Sequence, residues 1–350
     1  MPAIIYKCPN CGGDLKFDPD SQQYKCGYCM SHFSQEDVDK TDAGRKQGTS
    51  EQAGEASKAA GDAAVYSCPS CGAEIVTDPT TAATFCYYCH NPVVLLGRLS
   101  GRYLPDKVIP FAVDREKAVE SFLKYVHSRR FVPGSFFSKD QIEKITGVYY
   151  PYWIYTAEVE GQLDAEAVNV RVWRGGNIEY TETSHYEVER AGTIHFGEYT
   201  RNALQKNDRT LAEGVQPFNA DGMKDFTMSY LSGFMAEKRD IEKDGLSSQA
   251  RQDIREYSEN MLRDTVSGYS SVVKKNANIT FEKEKWEYVL LPVWVLTYRG
   301  RNGETYYYTM NGQTEKVCGK LPLDYGRLAI LFAAVAVPVF LILLLGGYFI

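Results

Sequence analysis

Cys8-Pro9-Asn10-Cys11 with Cys26-Gly27-Tyr28-Cys29, then Cys68-Pro69-Ser70-Cys71 with Cys86-Tyr87-Tyr88-Cys89, is the pattern on which the fold of this chain turns. Each half is a CxxC, a gap of fourteen residues and a second CxxC, and together they use eight of the nine cysteines. That spacing places four thiolates on two facing knuckles, the arrangement that holds a tetrahedral Zn²⁺. Gly12 and Gly72 directly follow the first knuckle of each half, where backbone must fold close around the sulfurs. A disulfide framework is the rival reading, but such frameworks belong to short secreted chains and no signal peptide precedes Cys8. The expected ligands are therefore Cys8, Cys11, Cys26 and Cys29 for one Zn²⁺ and Cys68, Cys71, Cys86 and Cys89 for a second. Four thiolates leave no open position, so both metals are expected to be structural, with His32 and His90 beside the shells rather than in them.

Working outward, residues 1–36 form the first zinc ribbon, with Leu15-Lys16-Phe17 and Gln23-Tyr24-Lys25 as hairpin strands turning at Asp18-Pro19-Asp20-Ser21. Residues 37–64 read as a flexible linker, because 40–62 contain no aromatic residue and no Val, Ile or Leu with which to bury surface. Residues 65–100 form the second ribbon, with Glu74-Ile75-Val76 and Ala83-Thr84-Phe85 as its expected hairpin. In residues 1–40 four lysines face six carboxylates, and in 66–104 two arginines face two carboxylates. A phosphate-binding ribbon should be basic, and the whole chain carries −6, so both balances argue for protein partners rather than nucleic acid.

Residues 101–322 read as an α+β domain with an antiparallel sheet. Asp114 is placed to cap a helix whose apolar face is Ala118, Val119, Phe122, Leu123 and Val126. The aromatic strand around Tyr150-Pro151-Tyr152-Trp153 returns as Leu291-Pro292-Val293-Trp294, which suggests two equivalent strands built mainly for packing. Between them, alternating residues flank a turn at Arg174-Gly175-Gly176-Asn177. Residues 222–266 are expected to be helical, with Ala250, Ile254, Tyr257, Met261 and Thr265 on the packing face. A further hairpin turns at Arg301-Asn302-Gly303, and Cys318, the odd cysteine, reads as a reduced thiol. His127, His185 and His195 have no Ser, Asp or Cys partner in catalytic spacing, so the domain is not expected to be an enzyme.

Residues 323–350 are the expected C-terminal transmembrane anchor. From Leu328 onward there is no charge, and at about 1.5 Å per residue the run spans a hydrocarbon core of roughly 30 Å. Lys316, Lys320 and Arg327 precede it, which by the positive-inside rule leaves the N-terminal domains in the cytoplasm, in keeping with reduced cysteines. The fold class is thus multidomain: two small β zinc ribbons, an α+β domain and one C-terminal transmembrane helix in a single-pass, tail-anchored protein of the cell membrane.

Val108-Ile109-Pro110-Phe111, Gly147-Val148-Tyr149-Tyr150-Pro151-Tyr152-Trp153, Leu291-Pro292-Val293-Trp294 and the string from Asn311-Gly312-Gln313-Thr314 through Gly319-Lys320-Leu321-Pro322, together with the ribbons, resemble bacterial membrane proteins with a TFIIB-type zinc ribbon, the YdjG-like group. Glu315 stands where that pattern has glycine. The resemblance implies a place beside phage-shock protein A and an SPFH-domain partner in membrane-stress systems. It does not imply a helicase, since no GxxxxGK[ST] phosphate loop is present. The expected function is a non-enzymatic adaptor that recruits such proteins to the membrane, the alternative being a membrane-tethered nucleic-acid-binding regulator.

Overall fold

Strands form where β-branched and aromatic residues alternate, and they dominate the computed structural model, which describes residues 3–46, 64–68, 70–72, 74–77, 80–86, 91–95, 99, 101–205, 213–300 and 304–348. Two units separate by their internal contacts: Met1–Pro151, Leu204–Arg239 and Leu290–Ile350 make the larger, Tyr152–Ala203 and Asp240–Val289 the smaller.

In the larger unit the first ribbon forms the expected hairpin. Leu15–Asp18 pairs antiparallel with Gln23–Cys26, so that Phe17 lies opposite Tyr24, and His32–Phe33 adds a third strand. The next segment departs from the expected linker. Helix α1 (Gln35–Lys46) starts at a reciprocal cap, in which the Ser34 amide and hydroxyl donate to Asp37 Oδ2 and the Asp37 amide donates back to Ser34 Oγ. Val38, almost fully buried, is its apolar anchor. The rest of the expected linker, from 47 to 63, lies outside the described residues.

The second ribbon is built differently from its expected hairpin. Glu74–Thr77 pairs with Ala64–Ser67, while Thr81–Phe85 pairs with Pro92–Leu95 on one side and Met235–Glu237 on the other. Thr81, Ala82, Ala83 and Thr84 are all buried, so this strand belongs inside a sheet and not on a solvent-facing finger. Ala3–Ile4 completes that edge by pairing with Val94 and Leu95.

Helix α2 (Arg115–His127) is capped by Asp114, whose carboxylate accepts from the Lys117 amide at 2.8 Å, and it buries Ala118, Phe122 and Val126. Phe122 meets the Tyr308 ring at 4.9 Å, while Phe111 stacks on Phe234 at 4.1 Å and meets Trp294 edge-on at 5.2 Å. Strand β1 (Thr146–Gly175) opens in this unit, where Val148 and Tyr149 run parallel to Met235 and Ala236, a departure from the expected antiparallel sheet. Strand β3 (Ser271–Arg299) ends here, with Val293 to Arg299 antiparallel to strand β4 (Thr305–Asn311), which in turn pairs with Val317–Lys320. The expected turn at 301–303 lies outside the described residues.

Asn311 explains why its string is so distinctive. Fully buried, its side-chain amide donates to the carbonyls of Val215 (2.9 Å) and Pro217 (3.1 Å), and its oxygen accepts from the amides of Gln313 and Thr314. Gly312 gives its carbonyl to the amides of Ala112 and Val113, and a Cβ there would come within 2.6 Å of Phe111.

In the smaller unit β1 pairs with strand β2 (Ile178–Asn202) from Tyr152↔Asn202 to Gly175↔Ile178, around the expected turn, with Gly176 at φ +65. Helix α3 (Asp244–Asp264) packs its face on Val159, Leu163, Ala167 and Ile279. The helix is shorter than the expected 222–266: residues 228–231 form a 3₁₀ turn and Met235–Glu237 a strand. Its buried stripe is Ala250, Ile254, Ser258 and Leu262, while Tyr257 and Met261 are exposed. Ser258 takes a buried place because its hydroxyl donates to the Ile254 carbonyl at 2.7 Å, and Gly161 leaves the gap that Leu262 fills.

Candidate metal centres

The Cys8 and Cys26 knuckles are held by backbone before any metal is considered. The Gly12 amide donates to the Cys8 carbonyl at 2.9 Å with φ +75, and the Met30 amide donates to the Cys26 carbonyl at 3.1 Å. Backbone thus wraps each sulfur, and the Tyr28 amide points at Cys26 Sγ from 3.5 Å. The second ribbon repeats the device, with the Gly72 amide on the Cys68 carbonyl at 2.9 Å and φ +73 at the glycine. Likewise the Cys26 amide donates to the Ser31 carbonyl and the Cys86 amide to the Asn91 carbonyl, both at 3.0 Å.

These frames bring the expected ligands together. Cys8, Cys11, Cys26 and Cys29 hold their sulfurs within 4.8 Å of one another, as do Cys68, Cys71 and Cys86. Cys89 lies outside the described residues. The nearest sulfur pairs are 3.6 Å (Cys8–Cys29), 3.5 Å (Cys11–Cys26) and 3.7 Å (Cys71–Cys86). Four sulfurs at 2.3 Å from a tetrahedral ion stand roughly 3.8 Å apart, whereas a disulfide needs about 2.05 Å. The described cysteines are all free thiols. The donor set therefore fits a metal ion better than crosslinks. In each cluster the first cysteine of one CxxC and its opposite number, Cys8 with Cys26 and Cys68 with Cys86, are buried, and the others described are exposed.

Electrostatics divide the two exposed thiols of the first ribbon. The Ser31 hydroxyl, 3.2 Å from the Cys29 sulfur, and the Ser31 backbone hold Cys29 down at about 6. At Cys11 the Gly13 backbone pulls downward, but the Cys29 and Cys26 sulfurs outweigh it and push the thiol up to about 12. Of these two thiols Cys29 is thus the more readily ionised, and a metal cation favours the thiolate form of a cysteine that ligates it. His32 is exposed and outside the sulfur cluster, and His90 lies outside the described residues.

A pair of polar bridges is not evident from the cysteine spacing. Asn10 Nδ2 donates to Ser31 Oγ at 3.1 Å, bridging the two knuckles of the first ribbon, and Asn91 Nδ2 donates to Ser70 Oγ at 2.7 Å in the second. The same two positions carry the same pair with its members exchanged. The signal was in the sequence, as Asn and Ser at matched offsets from the cysteines, but it has meaning only across two knuckles.

The first ribbon is mounted on the rest of its unit. The Phe17 amide donates to the Ser232 carbonyl at 3.0 Å, the Ser232 hydroxyl to the Leu15 carbonyl at 2.5 Å, and Lys117 pairs with Asp20 at 2.7 Å. Gln35 Nε2 donates to Thr227 Oγ1 at 2.6 Å, and Tyr24, fully buried, gives its hydroxyl to Gln35; burial drives that phenol's pKa well up. At the Cys26–Cys29 knuckle, Tyr28 is 78% and Met30, which follows it, 57% exposed.

Elsewhere, His185 faces Glu166 at 3.2 Å and His195 faces Glu158 at 3.5 Å on the exposed side of the smaller unit's sheet, as expected for sheet-face side chains. His127 meets only the Phe137 ring edge in the described contacts. Both tryptophans of the recurring strands are buried and satisfied, Trp153 by the Ile241 carbonyl (2.9 Å) and Trp294 by the Val113 carbonyl (3.0 Å), which bears out packing. Cys318 packs against Gly214. One described helix, α4 (Tyr325–Tyr348), is long and apolar enough to cross a membrane, with mean hydropathy 2.6 over Tyr325–Leu344 and none of that window buried.

No protein-family model matches the chain, and no solved structure matches it. Over 351 residues it is 33% identical to a Bacillus subtilis (strain 168) protein described as "Uncharacterized protein YdjG", an alignment covering 99% of both.

Proposed function

The chain belongs to the same family as the Bacillus subtilis protein YdjG, and on that premise we propose that it is a membrane-anchored zinc-ribbon adaptor without catalytic activity of its own. The metal ions are two structural Zn²⁺, one held by Cys8, Cys11, Cys26 and Cys29, the other by Cys68, Cys71, Cys86 and Cys89. Helix α4 crosses the cell membrane once and the ribbons face the cytoplasm. The observation that carries the reading is the first ribbon's mount: its hairpin is bonded into the larger unit at Leu15 and Phe17, while Tyr28 and Met30 at its second knuckle are left to solvent. Exposed aromatic and Met side chains on a rigid support suit a protein contact. The partners implied by the family resemblance are a phage-shock protein A-like protein and an SPFH-domain protein.

Affinity purification of the full chain from membranes, beside variants with each quartet changed from Cys to Ser and a Tyr28→Ala/Met30→Ala variant, tests this. Adaptor function predicts a co-purifying membrane protein that is lost with the first quartet and with the double-alanine variant, while the latter keeps its metal. Recovery of nucleic acid in a salt-sensitive manner, with no protein partner, would overturn it in favour of a tethered regulator.

A further inference from the structure

At the foot of α4 the larger unit encloses a cleft of about 450 Å³, lined by Pro133, Ser135, Tyr298, Tyr306, Leu323 and Tyr325 among others. Its walls are fastened to the helix entry. The Asp324 amide donates to the Phe131 carbonyl at 2.7 Å, and Asp324 Oδ1 accepts from the Arg327 amide at 3.1 Å in the first turn of α4. Arg327 Nη1 reaches the Val132 carbonyl at 3.4 Å, and the Ser135 and Tyr298 hydroxyls meet at 3.0 Å. The segment 131–135 and the start of the helix therefore form one edge of the cleft.

The chemistry of that edge is interfacial. Tyr325 is 72% and Leu323 54% exposed, and beyond them the helix surface stays apolar, with Ile330 and Phe332 more than two-thirds exposed. Tyrosines with an apolar body and a polar tip concentrate at the depth of lipid headgroups. Arg129, Arg130, Lys320 and Arg327 lie on the segments that meet here, against the carboxylates of Asp324 and Glu304, which already face Arg327 (3.3 Å) and Lys320 (3.8 Å). Lys320 also lies over the Tyr306 ring at 5.7 Å and Arg327 reaches the Val132 carbonyl, so two cations stand at the rim, while Asp324 is the charged residue of the lining itself.

We propose that this cleft is a binding site for an anionic phospholipid. The headgroup enters between the tyrosines, the cations at the rim meet its phosphodiester, and the acyl chains follow the apolar surface of α4. The proposal rests on the reading of α4 as a membrane anchor, because only then does a cleft walled by its first turn lie at headgroup depth. A soluble peptide is the less fitting occupant, since the cleft opens beside an exposed apolar helix that a bilayer would cover.

The full chain is reconstituted into phosphatidylcholine vesicles with or without phosphatidylglycerol, carrying a trace of photoreactive phosphatidylglycerol, and cross-linked peptides are mapped. The expected result is labelling of 131–135 and 322–325 that unlabelled phosphatidylglycerol competes away and inorganic phosphate does not. Arg129→Gln/Arg130→Gln, both on exposed positions, should weaken labelling about fivefold per charge removed. Ser135→Trp, which fills the cleft, should abolish it while labelling along α4 persists. Label confined to α4, or label at 131–135 indifferent to both variants, would overturn the site. Flotation of the same samples separates the two readings: a chain that floats without cleft labelling defeats the lipid site alone, and a chain that fails to float defeats the anchor and the site together.

Discussion

At Glu315 the backbone takes φ +61, a left-handed conformation that costs a side-chain-bearing residue roughly 1–2 kcal/mol. Glycine is the residue that the sequence resemblance leads one to expect at this position. In return the Glu315 side chain accepts from the Ser121 hydroxyl at an exposed 3.3 Å and its charge acts on Lys117. Glu315→Gly is therefore expected to raise stability by about 0.5–1 kcal/mol, read as a higher denaturation midpoint with unchanged slope. No gain, or a loss, would mean that the contact with Ser121 outweighs the strain. Asn311 should behave oppositely. Asn311→Ala leaves the buried Val215 carbonyl, and the more exposed Pro217 carbonyl, without their donor and is expected to cost about 1–3 kcal/mol. The expected ligand cysteines were visible by their regular spacing, and this asparagine as a member of a distinctive string. The role of Asn311 was not visible, since the carbonyls it satisfies come from a loop almost a hundred positions away.

Among the elements, several made by neighbouring residues were legible, although helix α1 with its local cap was not, and the pairings between distant strands were not. The Leu15–Asp18 and Gln23–Cys26 hairpin and the turn at Gly176 arise from local alternation and turn chemistry. One of the two partners of Thr81–Phe85 is Met235–Glu237, and nothing in either short strand names the other. Helix α3 shows a finer failure: apolarity favoured Tyr257 and Met261, but an unbroken i, i+4 stripe with a self-satisfied serine won. Leu262→Ala is thus expected to cost about 2–4 kcal/mol and Tyr257→Ala less than about 1 kcal/mol. Equal costs in chemical denaturation would return Tyr257 to the packing face. The same helix carries a pH-dependent tie. Arg251, bonded to Glu284 on β3, holds that carboxyl below its ordinary 4.5, so the tie stabilises at neutral pH and is lost as pH falls through the lowered value. Since Glu284 is about a quarter exposed, the expected effect is modest, about 1 kcal/mol. Glu284→Gln should melt lower than the parent at pH 7 and converge with it as pH falls below the ordinary carboxylate range. A constant difference across that range would show that the ion pair contributes nothing to stability.

For the molecule as a whole, the mount of the first ribbon makes metal occupancy and the integrity of the larger unit one question. The hairpin that carries Cys26 is the hairpin whose strands bond to Ser232 and pack Phe17 on Tyr230 at 5.5 Å. Treatment with a strong chelator should therefore raise hydrogen exchange at 15–26 and also at 227–234, which ligates nothing. Exchange confined to 8–31 would show the ribbon to be an independent appendage. The pairing of Ala3–Ile4 with Val94 and Leu95, packed around Ile5, Tyr66 and Val93, has a consequence of another kind. A ribosome delivers the chain in order, so residues 3–5 emerge long before the strand that receives them. The four thiols from Cys8 to Cys29 can close on an ion in that interval. Translation speed across the stretch between the two ribbons then sets how long this edge waits uncovered, and synonymous codon changes there should alter yield without altering the finished protein.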